Sequence, residues 1–381
     1  MSRSRLFLTA GLLAALAVAA PAATPESALP RFPLYERYVG IDGSCGWPLL
    51  VLLPNGDIAC LIWPDSSHGY TEGAVECWAS SDQGRTWHRR GVPVPNEPTM
   101  NRMNHAGGVA ADGSLVALVA GWENRKPKGW LPAPDDKSRP LTHFAGSRTR
   151  KPVPAVSRDY GVTWTQYPEI SDPDDLDRRP ASFGRVGLLP GGELGVMLYS
   201  STVGFYTSKD GGATWTKRGV VSPEGRNETT WIRLANGDLL AASRTNEKPD
   251  NFQLLHALRS KDNGATWTYE RDLTLPRQHP ADLTALPDGR ILLSYGVRNE
   301  GSWGISVRIG DPEGRIWSPP IGLVDLEGST DQRSDPKPVR DGGYPSTVAL
   351  PDGTLVTAYY TRGVMAHHRY HIGVVRWQLP P

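Results

Sequence analysis

Ser208-Lys209-Asp210-Gly211-Gly212-Ala213-Thr214-Trp215 is the stretch from which the fold can be read. Its pattern, Ser-x-Asp-x-Gly-x-Thr-Trp, returns as SSDQGRTW at Ser80–Trp87, SRDYGVTW at Ser157–Trp164 and SKDNGATW at Ser260–Trp267. A worn copy, GDPEGRIW, spans Gly310–Trp317. The pattern has the chemistry of a hairpin turn. An Asp carboxylate accepts backbone N–H groups within the turn, Gly takes a backbone conformation closed to most residues, and Trp covers apolar surface. Four near-perfect copies mark an internal repeat.

Outward from these turns a second unit occurs six times: an apolar run, a Gly-containing turn, another apolar run. The copies are GWPLLVLLPNGDIACLIW (Gly46–Trp63), HAGGVAADGSLVALVAGW (His105–Trp122), FGRVGLLPGGELGVMLYS (Phe183–Ser200), ETTWIRLANGDLLAASR (Glu228–Arg244), PADLTALPDGRILLSYGVR (Pro280–Arg298) and YPSTVALPDGTLVTAYYTR (Tyr344–Arg362). Each reads as a β-hairpin, and the Asn-Gly and Asp-Gly pairs present in five of them supply the positive φ values of a tight turn. Near-continuous apolar flanks predict strands buried on both faces. With 13 Trp, 41 Gly and 34 Pro in 381 residues and few helical periods, the chain is expected to be all-β.

The first residues follow a different design. Arg3 and Arg5 precede the apolar run Leu6–Ala20, which ends in the small-x-small pattern Ala20-Pro21-Ala22. Residues 1–23 therefore read as a cleavable signal peptide, leaving residues 24–381 as one domain, secreted or periplasmic. The run is short for a membrane span and no cysteine follows it, so no membrane anchor is expected. A net charge of +1 gives no case for a nucleic-acid partner. Cys45, Cys60 and Cys77 lack zinc-site spacing. One pair could bridge in an oxidising compartment, and buried, inert thiols are the other reading.

The Ser-x-Asp-x-Gly-x-Thr-Trp copies resemble the Asp-box (BNR) repeats of the sialidase superfamily, and the resemblance covers nearly all of residues 24–381. It implies a six-bladed β-propeller of four-stranded blades with structural Asp-box turns, in agreement with the six hairpins. Asp boxes accompany several activities, so function must be read at the site. In such a blade the inner strand begins, and the second strand ends, on the face opposite the Asp boxes. Nine residues before the turn glycines Gly56, Gly113, Gly192, Gly237, Gly289 and Gly353 stand Trp47, Asn104, Phe183, Glu228, Pro280 and Tyr344. These six are expected to ring the axis at the mouth. Arg244, Arg298 and Arg362 end second strands on that face, with His105, Arg185, His279 and Asp282 beside the ring.

The resemblance also implies roles. Tyr344, in GYPSTVALPDGTL, matches the family's catalytic Tyr; Glu228 and Arg244 match its paired Glu and a substrate-carboxylate Arg. Tyr344 would be the nucleophile and Glu228 the base that takes its proton. The chain departs from the pattern elsewhere. Where the family's first Arg stands, it has Cys45-Gly46-Trp47-Pro48, and Ser302 takes the place of the third; Arg298 and Arg362 are the candidates to compensate. The family's acid/base Asp has two candidate counterparts, Asp65 and Glu72. His105 and Asp282 complete the candidate binding set, and no metal or cofactor is expected.

The function implied is an exo-acting, sialidase-like glycoside hydrolase that releases a terminal acidic sugar from a glycan. Two other readings stand beside it: a lyase on uronic-acid polysaccharides, with Tyr344 or His105 abstracting a proton, and a non-catalytic carbohydrate-binding propeller. Residues Glu123–Lys151 form a Pro-rich, basic insertion on the mouth face, read equally as a lid over anionic ligands or as a solvated loop. Asp172–Asp177 lacks the spacing of a calcium loop, and the sequon Asn227-Glu228-Thr229 falls on the candidate site itself.

Overall fold

The computed structural model describes residues 32–123, 149–171, 180–222, 227–246, 252–326, 341–364 and 367–380. The signal-peptide reading, residues 124–148 of the basic insertion and the acidic stretch 172–177 lie outside the described residues. Six sheets, antiparallel but for two short parallel pairings on the second blade's inner strand, form the six-bladed propeller expected. The fourth blade is the simplest: strands Thr229–Arg233, Leu239–Arg244, Leu255–Ser260 and Thr268–Asp272 pair in chain order. The first blade does the same from Leu49–Leu52 to His88–Gly91, and the fifth from Gln278–Ala285 to Ile321–Asp325. In the second blade Met100–Val109 is innermost; in the third the inner strand is broken into short pieces around Gly184, whose φ is +79°. One of those pieces, Gly184–Arg185, pairs with Ala106–Gly107 of the second blade.

The sixth blade differs in origin. Gly342–Ala349, Leu355–Val364 and His367–Trp377 supply three strands, and the fourth is Tyr35–Asp42, antiparallel to His367–Trp377. The ring is therefore closed by the two ends of the described chain. This also explains why five Asp boxes serve six blades: the sixth has no hairpin between its third and fourth strands.

Both faces of each sheet are buried against neighbours, as the apolar runs predict. Leu240 and Ala242 of the fourth blade meet Leu283 and Ile291 of the fifth, while Leu239 and Ala241 meet Met197 and Phe205 of the third. The Asp boxes pin these seams. In the first box Asp82 Oδ1 accepts N–H groups of Arg85 (3.0 Å) and Thr86 (2.8 Å), and Ser80 Oγ accepts that of Gly84 (2.8 Å). In the worn copy Asp311 stands one place early, yet still accepts the N–H groups of Arg315 (2.6 Å) and Ile316 (2.8 Å). Each box glycine has positive φ and lies against the preceding blade. A Cβ on Gly84 would meet Val356 at 2.8 Å, on Gly161 Cys77 Sγ at 2.5 Å, on Gly212 Val116 at 2.7 Å, on Gly264 Phe205 at 2.1 Å, and on Gly314 Leu240 at 2.7 Å.

Two expectations are sharpened. In the Asn-Gly and Asp-Gly hairpins only the glycine takes positive φ, so the turn is the three-residue type with a bulge. The preceding side chain instead accepts the N–H two residues on, as Asp352 Oδ1 does from Thr354 (2.9 Å). The three cysteines are free and buried, and Cys77 fills the space beneath Gly161.

Gly264→Ala should destabilise the domain by about 2–4 kcal/mol, through backbone strain at positive φ and overpacking against Phe205. Gly56→Ala, where a Cβ meets nothing within 4 Å, should cost only the strain, about 1 kcal/mol. Denaturant unfolding of the two variants separates the contributions, and equal losses would show that the seam contact contributes nothing.

Candidate active site

The register places its residues as expected. A cavity of about 180 Å³ is lined by Trp47, Asn104, Phe183, Glu228 and Tyr344, five of the six ring positions. In the fifth blade, whose inner strand is bulged between Gln278 and Ala281, Ala281 lines the cavity in place of Pro280. A second, more polar cavity of about 450 Å³ adjoins it, lined by Arg244, Arg277, Arg298, His68, His279, Asp341 and Tyr344 among others. Tyr344 and His68 are the two described residues that line both.

Tyr344 is 8% exposed, and its Oη donates to Glu228 Oε1 at 2.6 Å. Arg244 Nη1 donates to the other carboxylate oxygen, Oε2, at 2.5 Å. Arg244 is itself held by Gln253, whose Oε1 accepts from Nε (2.8 Å) and Nη2 (2.6 Å). Three of its five N–H groups are thus engaged, leaving one on each terminal nitrogen for a ligand. The Arg298 guanidinium lies 5.7 Å from the centre of the Tyr344 ring, and its buried Nε has no partner among the described residues. Tyr344 has φ +53°, and Trp47, at the same place in the first blade, has φ +55°. Bulky residues rarely occupy this region, and such strain clusters at functional sites.

Burial and charge set the protonation of the phenol. Burial and the neighbouring Glu228 carboxylate raise the Tyr344 pKa well above its ordinary value, and Arg244 and Arg298 offset only part of this. Tyr344 therefore rests as the phenol, and attack by its oxygen requires a base within reach. Glu228 is within reach. Arg244 stays charged despite burial because Glu228 outweighs the loss of water.

The remaining candidates divide. His105 lines the smaller cavity, but its Nδ1 faces Met103 O at 3.2 Å, and burial lowers its pKa to about 4. Asp282 also lines that cavity, yet its carboxylate is engaged by Arg185 Nε (2.8 Å), Arg185 Nη2 (2.6 Å) and the Thr347 N–H (2.8 Å). Arg185 continues to Thr347 O and Leu50 O, so this pair braces the third, fifth, sixth and first blades across the axis. Arg362 lies outside both cavities, its guanidinium 5.4 Å from the Tyr370 ring. Of the acid/base candidates, Asp65 is buried within its own loop, accepting from Thr71 Oγ1 at 3.0 Å, and Glu72 is exposed; neither lines either of these two cavities.

Three residues that sequence reasoning did not place in the site are in it. Arg277 precedes the fifth blade and lies three residues outside the aligned position, where only a wider register search would find it. His68 sits on the loop that carries Asp65 and Glu72, hidden by the search for a carboxylate. Asp341 stands three residues before Tyr344, outside any repeat. His68 Nδ1 donates to Asp341 Oδ2 at 2.9 Å, and Asp341 also accepts from Tyr360 (2.7 Å) and Tyr370 (2.5 Å). Cys45 Sγ lies within 4.8 Å of this pair, so the three donor types for a cation are near one another. Both Asp341 oxygens already accept protein hydrogen bonds, which fits a hydrogen-bonded pair better than a metal centre.

Residues 138–357 match the BNR repeat-like domain. The chain belongs to that family. It is 24% identical to a sialidase of Micromonospora viridifaciens over 398 aligned positions, covering 94% of this chain and 58% of that protein. The chain thus spans less than two thirds of that relative's length. A solved protein of unknown function from Dyadobacter fermentans superposes with a TM-score of 0.70 at 22% identity, covering 92% of this chain and 99% of the other. An intramolecular trans-sialidase from Ruminococcus gnavus superposes at 0.59 and 14% identity, covering 88% and 95%. The propeller is that of the sialidase superfamily.

Three buried histidines give stability a pH dependence. Burial lowers the pKa of His105 to about 4; burial, then Arg298 and Arg244, lowers that of His279 to about 2; burial lowers that of His371 to about 4. Each stays neutral in the folded state, whereas the unfolded chain takes a proton near 6.5. The stability these three contribute is therefore full above pH 6.5 and falls on acidification towards pH 4, by about 4 kcal/mol per pH unit near pH 5 for the three together. Denaturant midpoints measured from pH 7.5 to 4.5 check this, and a flat profile would contradict it.

Proposed function

We propose that the protein is an exo-acting glycoside hydrolase of the sialidase type, which releases a terminal sialic acid or related nonulosonic acid through a covalent intermediate on Tyr344. The observation that carries this is the 2.6 Å hydrogen bond from Tyr344 Oη to Glu228, with Arg244 on the second carboxylate oxygen. As the phenol oxygen attacks the anomeric carbon, its proton passes to Glu228, and Arg244 fixes the geometry of that base. A neutral phenol suits an anomeric carbon that bears a carboxylate, since an Asp or Glu nucleophile would meet like charge.

The substrate class follows from the polar cavity. Arg244, Arg277 and Arg298 line it together, with spare N–H groups on Arg244 and the buried Nε of Arg298 without a partner among the described residues. Guanidinium groups bind carboxylates through paired hydrogen bonds. Arg277 thereby offers the third cation that the first blade lacks. The ligand is an acidic glycan, with no cofactor, nucleic acid or membrane anchor in the scheme. Among the described residues no helix is long and apolar enough to cross a membrane. The Arg-flanked apolar run and small-x-small pattern of residues 1–23 support action after export, in a periplasm or outside the cell.

Elimination on uronates is less well supported, because the proton of Tyr344 already has an acceptor in Glu228 and His105 is turned to Met103 O. Aryl glycosides of sialic and related nonulosonic acids test the proposal. Tyr344→Phe and Glu228→Gln should each lower kcat/KM by about 10²–10⁴-fold, and Arg298→Met should mainly raise KM. No turnover on any of these glycosides, or full activity in Tyr344→Phe, would sink it. An unsaturated product absorbing in the ultraviolet would identify a lyase, and glycan binding without turnover a binding module.

A further inference from the structure

We infer that His68, oriented by Asp341, is the general acid and then the general base of this reaction, in place of a carboxylate. The inference rests on the hydrolase reading above. The loop between the second and third strands of the first blade holds two carboxylates, and neither lines either of the two cavities that meet at Tyr344. The same loop turns His68 inward instead. With Tyr344, it is the one other described residue lining both cavities, so a sugar that reaches the Tyr344 oxygen also passes the imidazole.

The imidazole is held for such a role. Nδ1 donates to Asp341 Oδ2 at 2.9 Å, which leaves Nε2 as the nitrogen free of described partners. Trp47 packs edge-on against the ring, with centroids 5.0 Å apart, and Trp47 in turn meets Tyr344 at 6.2 Å. Asp341 is itself fixed by the Tyr360 and Tyr370 hydroxyls. A carboxylate on one imidazole nitrogen fixes the tautomer and favours the imidazolium at the other.

Burial works against a charged His68, as does Arg298, while Asp341 and, more weakly, Glu228 favour it; the balance raises its pKa. Cys45, Tyr70 and Tyr360 surround the pair. His68 is thus suited to enter the first step protonated, unlike His105 and His279.

Tyr344 Oη bonds to the anomeric carbon while its proton moves to Glu228, the glycosidic C–O bond breaks, and Nε2–H of His68 protonates the departing oxygen. Water then gives one proton to the neutral Nε2 and attacks the anomeric carbon. Tyr344 leaves and recovers its proton from Glu228, so the sugar is released with the enzyme restored.

The test is His68→Gln, assayed on a nitrophenyl glycoside of whichever nonulosonic acid the wild type cleaves and on the matching glycoside of a sugar alcohol. Cleavage of the sugar glycoside should fall about 10²–10⁴-fold, because its leaving oxygen needs a proton. The nitrophenyl glycoside should lose less than tenfold in the first step, with a nitrophenol burst and a tyrosyl adduct visible by mass spectrometry. The alkaline limb of the wild-type pH–rate profile should disappear. Asp341→Asn should move that limb to lower pH, and it carries the test if His68→Gln does not fold. Equal losses on both substrates with the alkaline limb retained would overturn the role of His68 and leave Tyr344 standing. A wild type inert on every nonulosonic glycoside, or Tyr344→Phe with full activity, would remove the underlying hydrolase and this inference together.

Discussion

A sheet with two apolar faces is stable in water only when both are covered, and here each blade covers its neighbours. Closure of the ring is thus the constraint on which the rest depends. It is met by pairing Tyr35–Asp42 with His367–Trp377, and the seam behind this pairing buries Ile41, Trp87, Val348, Val356 and Ile372 together. The box glycines serve the same constraint from outside. Their positive φ values and their close approach to the preceding blade are two demands that only a residue without Cβ satisfies together. The hydrogen bonds from backbone N–H groups to the box Asp keep those turns in place, as the displaced Asp311 illustrates: its neighbours' N–H groups need an acceptor, and the residue that supplies it can shift by one.

Closure fixes depth around the axis, and depth brings the chemistry together. Glu228 and Tyr344 come from the fourth and sixth blades, 116 residues apart, and meet because each begins an inner strand at the same level. The Arg185–Asp282 pair does for the axis what the boxes do for the rim. A buried pair of this kind is no certain source of stability, since losing water opposes the attraction. Its additional bonds to Thr347 and Leu50 give it a positional role, because they tie four blades to one side chain.

The fold was legible in the sequence because repetition amplifies weak local signals. Six hairpins and five boxes agree on one architecture, whereas one hairpin would specify little. The Tyr344–Glu228–Arg244 constellation was legible for the same reason, since it occupies aligned repeat positions. Legibility stopped where the chain leaves the repeat. His68 and Asp341 lie on connecting segments whose course depends on tertiary contacts, and residue type, which singles out Asp65 and Glu72, does not say which way their loop turns. Arg362 ends its strand as the register predicts, yet its guanidinium lies against the Tyr370 ring and lines neither cavity. Asp282 reached the cavity wall, but a register argument cannot foresee that Arg185 engages it. The closing strand carried no recognisable motif.

The closure seam and the candidate site are one structure. Trp47, Tyr344, Tyr360 and Tyr370 all pack in or against the cluster that joins the first and sixth blades, and Cys45 and Met103 lie in the same cluster. The strained residues Trp47 and Tyr344 sit on its two sides, at matching positions of adjacent inner strands. Backbone strain persists only where surrounding packing over-determines it, and the most constrained place in a closed ring is the seam that shuts it. A phenol held against Glu228, and an imidazole held against Asp341, need such rigidity, because a proton transferred over a hydrogen bond tolerates little displacement. The final strand pairing therefore does more than complete a sheet. It holds the wall on which Tyr344 and His68 face the same space.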